Sequence, residues 1–389
     1  MSGSLSIRGG RVLTAEGFAQ TDLFVEAGLL SGRDPNGEVV IDAGGLLVAP
    51  GLIDIQINGG FGFDFTADPS SIWKVGARLP ATGVTSFLPT IITSPEEQRF
   101  LAFKVLAKGP PSNYRGARVL GLHFEGPMLA PEYRGTHGLA HLRLPDPDLI
   151  HDWARSNGLR LVTLAPELPG ADPTIRALLD RDVIVAAGHS AAGYEQGEHA
   201  LRAGVTHGTH LFNGMPPLLP CDPGLVGALL EDEGASVALI VDGIHLHPAT
   251  VRLVRAGKPA HRVVLITDAM AGMGAGPGTY ALGDLTVSVD EMSARNADGG
   301  LAGSILTLDQ AVRNYVEFTD CTIEEALVAA STNPARAVGE CERGQIEDGK
   351  MADLVLLDDQ LNVHATVVEG VLAHESRAFA GRVAHSEIV

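Results

Sequence analysis

A chain of 389 residues with 45% hydrophobic and 19% charged residues can bury a large core and is not natively disordered. Its formal net charge of −19 excludes nucleic acid and anionic membranes as electrostatic partners, and leaves any anionic substrate in need of a locally positive pocket. Three scattered cysteines, Cys221, Cys321 and Cys341, exclude a disulfide framework or a CxxC zinc site and fit a reducing cytoplasm.

The N-terminal stretch MSGSLSIRGGRVLTAEG lacks the apolar core of a signal peptide. No apolar run approaches the roughly 18 residues that span a bilayer, so the expectation is a soluble, cytoplasmic protein. Residues 4–48 alternate short strands with turns: LSIRGGRVLT, TDLFVEAG, GEVVIDAGG. Eight near-continuously apolar runs follow, at 52–57, 84–90, 118–125, 159–167, 183–189, 204–212, 236–242 and 262–268, separated by stretches long enough for a helix. Apolar strands of that kind are buried on both faces of a parallel sheet. Eight strand–helix units predict an α/β fold, a (β/α)8 TIM barrel. Beyond residue 344 the pattern returns to short strands and turns, as in ADLVLLD and VHATVVEGVLAH. Neither end has helical period, so residues 1–48 and 345–389 are expected to pair into one small β domain beside a barrel of 49–344.

The residues closing the runs are polar. Glu125 closes the third, His189 the fifth, His210 the sixth and Asp268 the eighth; the first leads into Gln56 and Asn58, the seventh into Asp242 and His245. In a parallel barrel all strand C-termini lie on the face where active sites are built. Two imidazoles and a carboxylate with open positions make a hydrolytic metal site, so Glu125, His189 and His210 are predicted to hold one divalent cation. Asp268, left over, is read as the general base that takes a proton from activated water. Singly, each residue has a plainer role: a core histidine, a helix cap at Glu125, an N-cap at Asp268. Four such residues at four strand ends favour the joint reading. His207 is read as structural and His123 as a support for Glu125.

Together PGLIDIQINGG, GLHFEGP, GHS, THLFNGM, DGIHLHP, ITDAM, LAGS and STNPARAVG resemble the amidohydrolase superfamily and, within it, the branch of N-acetylglucosamine-6-phosphate deacetylases. The resemblance implies a metal-dependent barrel flanked by a β-sandwich built from both chain ends, in a homodimer. It implies Glu125, His189 and His210 as metal ligands, with zinc expected ahead of iron, manganese or cobalt. Asp268 is implied as acid/base, and His245 as the group that binds substrate and helps polarise the acetyl carbonyl. Thr136, His137, Asn213, Gly214, Leu301, Ala302 and Gly303 are implied to line the sugar pocket. The implied reaction is removal of acetate from N-acetylglucosamine 6-phosphate in amino-sugar catabolism.

Two departures qualify this. Many superfamily members carry His-x-His after the first strand; the amides Gln56 and Asn58 are poor ligands beside imidazole, so one metal is expected rather than two. Where the branch usually has an arginine, two residues before Pro-Gly, stands Cys221, followed by Asp222. Cysteine lacks the forked cationic donors that suit a phosphate. The phosphate is then held by Arg134, His137 or a partner subunit, or the substrate lacks it. The Gly-rich AGMGAGPG at 271–278 is read either as a mobile cover or as plain turns. The competing readings are a deacetylase of a related or unphosphorylated N-acetylated amino sugar, another mononuclear amidohydrolase, a cyclic-amide hydrolase or aminohydrolase of the same superfamily, and a non-catalytic barrel kept for assembly.

Overall fold

Eight short apolar segments become strands because both of their faces are covered, by the barrel interior on one side and by helices on the other. In the computed structural model, which describes residues 4–35 and 39–385, they are Leu52–Ile57, Val84–Ile92, Leu122–Glu125, Leu159–Leu164, Ile184–Ala187, His207–Gly208, Ser236–Ile240 and Val263–Ile266. Each pairs in parallel with the next, as in Val162 opposite Val185 and Leu239 opposite Leu265. The first and last are joined at their ends, where the Asp268 N–H donates to Gln56 O at 2.9 Å and Ile57 bridges Ala269.

Two strands differ from expectation. The sixth is only two residues long, and its line continues through single bonds such as Leu211 N–H to Ala238 O at 2.8 Å. The third is interrupted at Gly121, whose φ of +140° breaks the ladder after Arg118–Val119.

The barrel interior carries a polar layer. His123 lies between Thr90 (3.2 Å) and Thr163 (2.8 Å), and Thr163 meets Thr209 at 2.7 Å. Burial pushes His123 down to about 4, so the ring is neutral and its hydrogen bonds satisfy it. His123 makes no hydrogen bond to Glu125 among the described residues; it braces the wall beneath the site.

Outer helices follow the amphipathic rule. Leu308–Thr319 turns Leu308, Ala311, Val312, Tyr315 and Thr319 inward at helical spacing. The next helix, Ile323–Ala329, starts where Thr322 accepts from the Glu325 N–H at 3.2 Å.

Both ends of the chain feed both sheets of a β-sandwich. One sheet runs Val383–His385, Val39–Asp42, Leu5–Arg8, Leu23–Glu26, Leu29–Ser31; the other runs Val371–Glu375, Val363–Val368, Leu354–Leu357, Leu47–Pro50, Arg11–Thr14, Gly17–Gln20. Their facing side chains, among them Ile7, Val25, Ile41, Val48, Leu354 and Val367, form a separate core. Arg343 pairs with Asp353 and Glu369, and Arg118 Nε reaches Glu369 at 3.0 Å, tying barrel to sandwich. Residues 1–3, 36–38 and 386–389 of the expected terminal β domain lie outside the described residues.

Phe124, immediately before Glu125, is fully buried edge-on to Phe103 (5.2 Å) and Trp153 (4.9 Å). Phe124→Ala is expected to cost about 3–5 kcal/mol, seen as a lower denaturant midpoint; an unchanged midpoint would contradict this packing.

Candidate metal centre and active site

Glu125 is the last residue of its strand, but His189, His210 and Asp268 each stand two residues beyond theirs. All three adopt left-handed backbone, with φ of +49°, +28° and +49°. The strands therefore end before these residues, and the reversal of φ turns their side chains over the barrel mouth. Such conformations cost about 1–3 kcal/mol each in non-glycine residues and persist only where surroundings impose them. At Asp268 the surroundings are explicit: its N–H donates to Gln56 O, and its carbonyl accepts from Ser304 N–H at 2.8 Å.

Three acceptor atoms converge. His189 Nε2 and His210 Nε2 lie 3.2 and 3.0 Å from Glu125 Oε1, and 3.1 Å from each other. The tautomers follow from the far side of each ring. His189 Nδ1 faces Tyr133 O at 2.8 Å and His210 Nδ1 faces Asn213 O at 3.1 Å. A carbonyl only accepts, so both Nδ1 atoms carry hydrogen and both Nε2 atoms present lone pairs. Two lone pairs and a carboxylate oxygen pointed at one another repel unless a cation lies among them. The set of two neutral imidazoles and one carboxylate, backed by second-sphere carbonyls, fits a divalent metal. Burial alone would raise Glu125; positive charge at His189 and His210, whose place a bound cation takes, holds it well below the ordinary carboxylate range.

Gly214 is pressed into this scaffold. It has φ +61°, and a Cβ there would stand 2.8 Å from His189 Nδ1, so only glycine allows the ring its place. His137 meets His189 edge-to-face with centroids 4.5 Å apart, and its Nε2 lies 3.9 Å from Glu125 Oε2. Thr93 N–H donates to His137 Nδ1 at 3.3 Å, which leaves Nε2 as the protonated nitrogen. Burial takes His137 down to about 3, so it brings no positive charge to the pocket.

Asp268 lies beside the cluster without joining it. Gln56 Nε2 donates to Asp268 Oδ1 at 3.3 Å and to Glu125 Oε1 at 3.0 Å; Asn58 Nδ2 donates to Asp268 Oδ1 at 2.8 Å. Burial, then the Glu125 charge, raises Asp268 to about 6. Beneath it, fully buried Asp54 accepts from Thr267 Oγ1 at 2.6 Å, fixing the residue before Asp268. On the opposite side His245 Nδ1 donates to Asp242 Oδ2 at 2.7 Å, and Asp242 Oδ1 also accepts the His245 N–H at 2.7 Å.

One pocket is lined by Glu125, His189, His210, His245 and Asp268 together with Asn58, Thr136, His137, Asn213, Gly214, Leu301 and Gly303. Ala302, expected beside them, is fully buried, with its side chain in a core that includes Met270 and Val287. Gly303 itself has φ +63° and approaches Asp268 O so closely that a Cβ would lie 2.9 Å away. Of the 271–278 segment, Ala271 and Met273 are buried and anchored, whereas Gly274 to Gly278 are exposed at a hairpin. Sequence reasoning missed the Asp242 brace, the Tyr133 and Asn213 carbonyls, and Ile92, Ile240 and Leu282 as walls. Only Asp242, three residues before His245, carried a local signal. No lysine or arginine lines the pocket among the described residues; Cys221 is exposed on a turn, and Arg134 is spent on Pro131 O at 3.1 Å.

The Amidohydrolase family matches residues 47–373. The chain is similar to the N-acetylglucosamine-6-phosphate deacetylase of Bos taurus, at 41% identity over 385 residues, covering 95% of this chain and 90% of the relative. It is similar to the N-acetylgalactosamine-6-phosphate deacetylase of Escherichia coli O157:H7, at 38% identity over 373 residues, covering 94% and 98%. Among solved structures it resembles a mutant N-acetyl-D-glucosamine-6-phosphate deacetylase of Mycobacterium smegmatis in complex with N-acetyl-D-glucosamine-6-phosphate. That likeness has a TM-score of 0.87 at 32% identity, over 96% of this chain and 100% of that one.

Because three acceptors face one another, adding a divalent cation to metal-stripped protein should raise its unfolding temperature. His210→Ala should abolish that rise. A rise of equal size in the variant would move the binding elsewhere.

Proposed function

The chain belongs to the amidohydrolase family, and from that premise we propose that it hydrolyses N-acetylglucosamine 6-phosphate to glucosamine 6-phosphate and acetate, a step of amino-sugar catabolism. The observation that carries the reading is the partition of carboxylates in one pocket: Glu125 lies inside the three-atom donor cluster, and Asp268 beside it, held by amides. One set of groups binds a cation and the other is left to move a proton.

Glu125, His189 and His210 would hold one divalent ion, zinc by the preference of that borderline ion for two imidazole nitrogens with one carboxylate. When bound, such an ion supplies Lewis acidity, bringing the ionisation of water towards neutral pH. Asp268 takes the proton of the attacking water and returns it to the departing nitrogen, since an amine leaves only when protonated. His245, braced by Asp242 through Nδ1, lines the pocket and is placed to polarise the acetyl carbonyl. Thr136, His137, Asn213, Gly214, Leu301 and Gly303 surround the sugar.

Gln56 and Asn58 support one metal rather than two, because carboxamides are poor metal ligands beside imidazole and carboxylate. With no lysine or arginine lining the pocket among the described residues, we assign the phosphate to a residue of a second copy, and hence a homodimer. We place the division between β-sandwich and barrel at residues 48 and 345, and the protein in the cytoplasm; no helix among the described residues is long and apolar enough to cross a membrane. The galactosamine relative supports a second reading in which the sugar is the other epimer.

Acetate release from N-acetylglucosamine 6-phosphate, its unphosphorylated form and N-acetylgalactosamine 6-phosphate tests all of this. The first should be preferred; equal rates with the unphosphorylated sugar would remove the phosphate from the reading. Asp268→Asn should lower kcat by roughly 10²–10⁴-fold with metal content intact; metal loss would make Asp268 a ligand instead. Asp268 must be ionised to act, so kcat should fall as pH drops through its value of about 6, or lower where a bound cation pulls it down. An acid limb above neutrality would point to another base.

A further inference from the structure

Asn58 has a buried atom with no partner. Its Nδ2 faces two acceptors of Asp268, Oδ1 at 2.8 Å and the carbonyl at 3.4 Å, so the amide cannot be turned the other way round. Oδ1 of Asn58 is thereby fixed on the opposite side, buried and unbonded, in a residue that lines the pocket. An unmet carbonyl of this kind is costly unless a ligand donates to it.

The Asp268 carboxylate is asymmetric for the same reason. Both amides, Gln56 Nε2 and Asn58 Nδ2, donate to Oδ1, and no protein donor reaches Oδ2 among the described residues. An oxygen that already accepts two N–H groups is the weaker base of the pair. Gln56 also spans from Asp268 Oδ1 to Glu125 Oε1, so one NH2 group bridges two buried carboxylates that would otherwise repel. Amide hydrogens thus stand between the carboxylates.

We infer that Gln56 and Asn58 are positioning residues for the hydrolysis: they commit Asp268 Oδ1, leaving Oδ2 as the oxygen that carries the proton, while Asn58 Oδ1 accepts the second hydrogen of the attacking water. This rests on the proposed deacetylation. In the step itself the water O–H bond breaks towards Asp268 Oδ2 as the C–O bond forms, and the same proton passes to nitrogen as the C–N bond breaks. Asn58 Oδ1 exchanges no proton; it sets the direction of the oxygen lone pair.

The test pairs Asn58→Leu, which removes both contacts, with Gln56→Met, which removes the bridge at nearly constant volume. Both proteins are assayed with their metal for acetate release from N-acetylglucosamine 6-phosphate, metal content and unfolding temperature. The expected result is a kcat lower by roughly 10–100-fold in each, with KM and metal content unchanged. Unchanged kcat overturns the inference, as does raised KM at constant kcat, which would make Asn58 a ground-state sugar contact. Loss of metal in both overturns it too. Crystals of the same variants read orientation without turnover: the Asp268 carboxylate should rotate away from its present plane, and an unmoved carboxylate refutes the positioning role. If the unmodified protein releases no acetate from any N-acetylated amino sugar, the proposed reaction fails, while the crystallographic readout still decides the geometry.

Discussion

Two neutral imidazoles and a carboxylate cannot share a space of about 3 Å by themselves, and the architecture around them is organised to make them do so. Each ring is locked from behind by a carbonyl, Tyr133 O or Asn213 O, which forces the lone pair forward. The repulsion created in this way is a reservoir that a cation discharges. Much of the neighbourhood serves that constraint: Gly214 yields room for His189, His137 packs edge-to-face against it, and left-handed backbone at His189 and His210 aims them inward. Rigidity here is a requirement, because a ring free to rotate by one hydrogen bond would lose the arrangement.

The barrel beneath supplies that rigidity with an unusual interior. Instead of stacked aliphatic layers alone, it carries Thr90, His123, Thr163 and Thr209 in a hydrogen-bonded chain, and Asp54 against Thr267. Burial keeps His123 neutral, while Asp54 is pushed up to about 7. A satisfied polar network in a low dielectric specifies one arrangement more sharply than apolar contacts of the same area.

Much of this was legible in the chain. A carboxylate or imidazole at the end of a buried apolar run is costly unless used, and that signal alone brought Glu125, His189, His210 and Asp268 to one rim. Strand number was legible because each run is apolar throughout. What escaped has physical reasons. None of the three left-handed residues is glycine, so nothing in their identity announces a reversed φ. The sixth strand looked long because Val205 and Leu211 are apolar, yet they pack in the core around a two-residue strand. Amide roles at Gln56 and Asn58 depend on what lies across the barrel closure, 212 and 210 positions away from Asp268.

The sandwich has a consequence for biosynthesis. Leu354–Leu357 pairs with Leu47–Pro50, Val383–His385 with Val39–Asp42, and Arg382 reaches Gly44 O across 338 positions. The outer edges of Leu47–Pro50 and Val39–Asp42 must wait, unpaired, until the whole barrel has emerged from the ribosome. Contacts of such separation close late and slowly. For that interval the nascent chain exposes an apolar sheet that is prone to mispairing. Closure of the sandwich is therefore among the last steps of folding, after the barrel it flanks has been made.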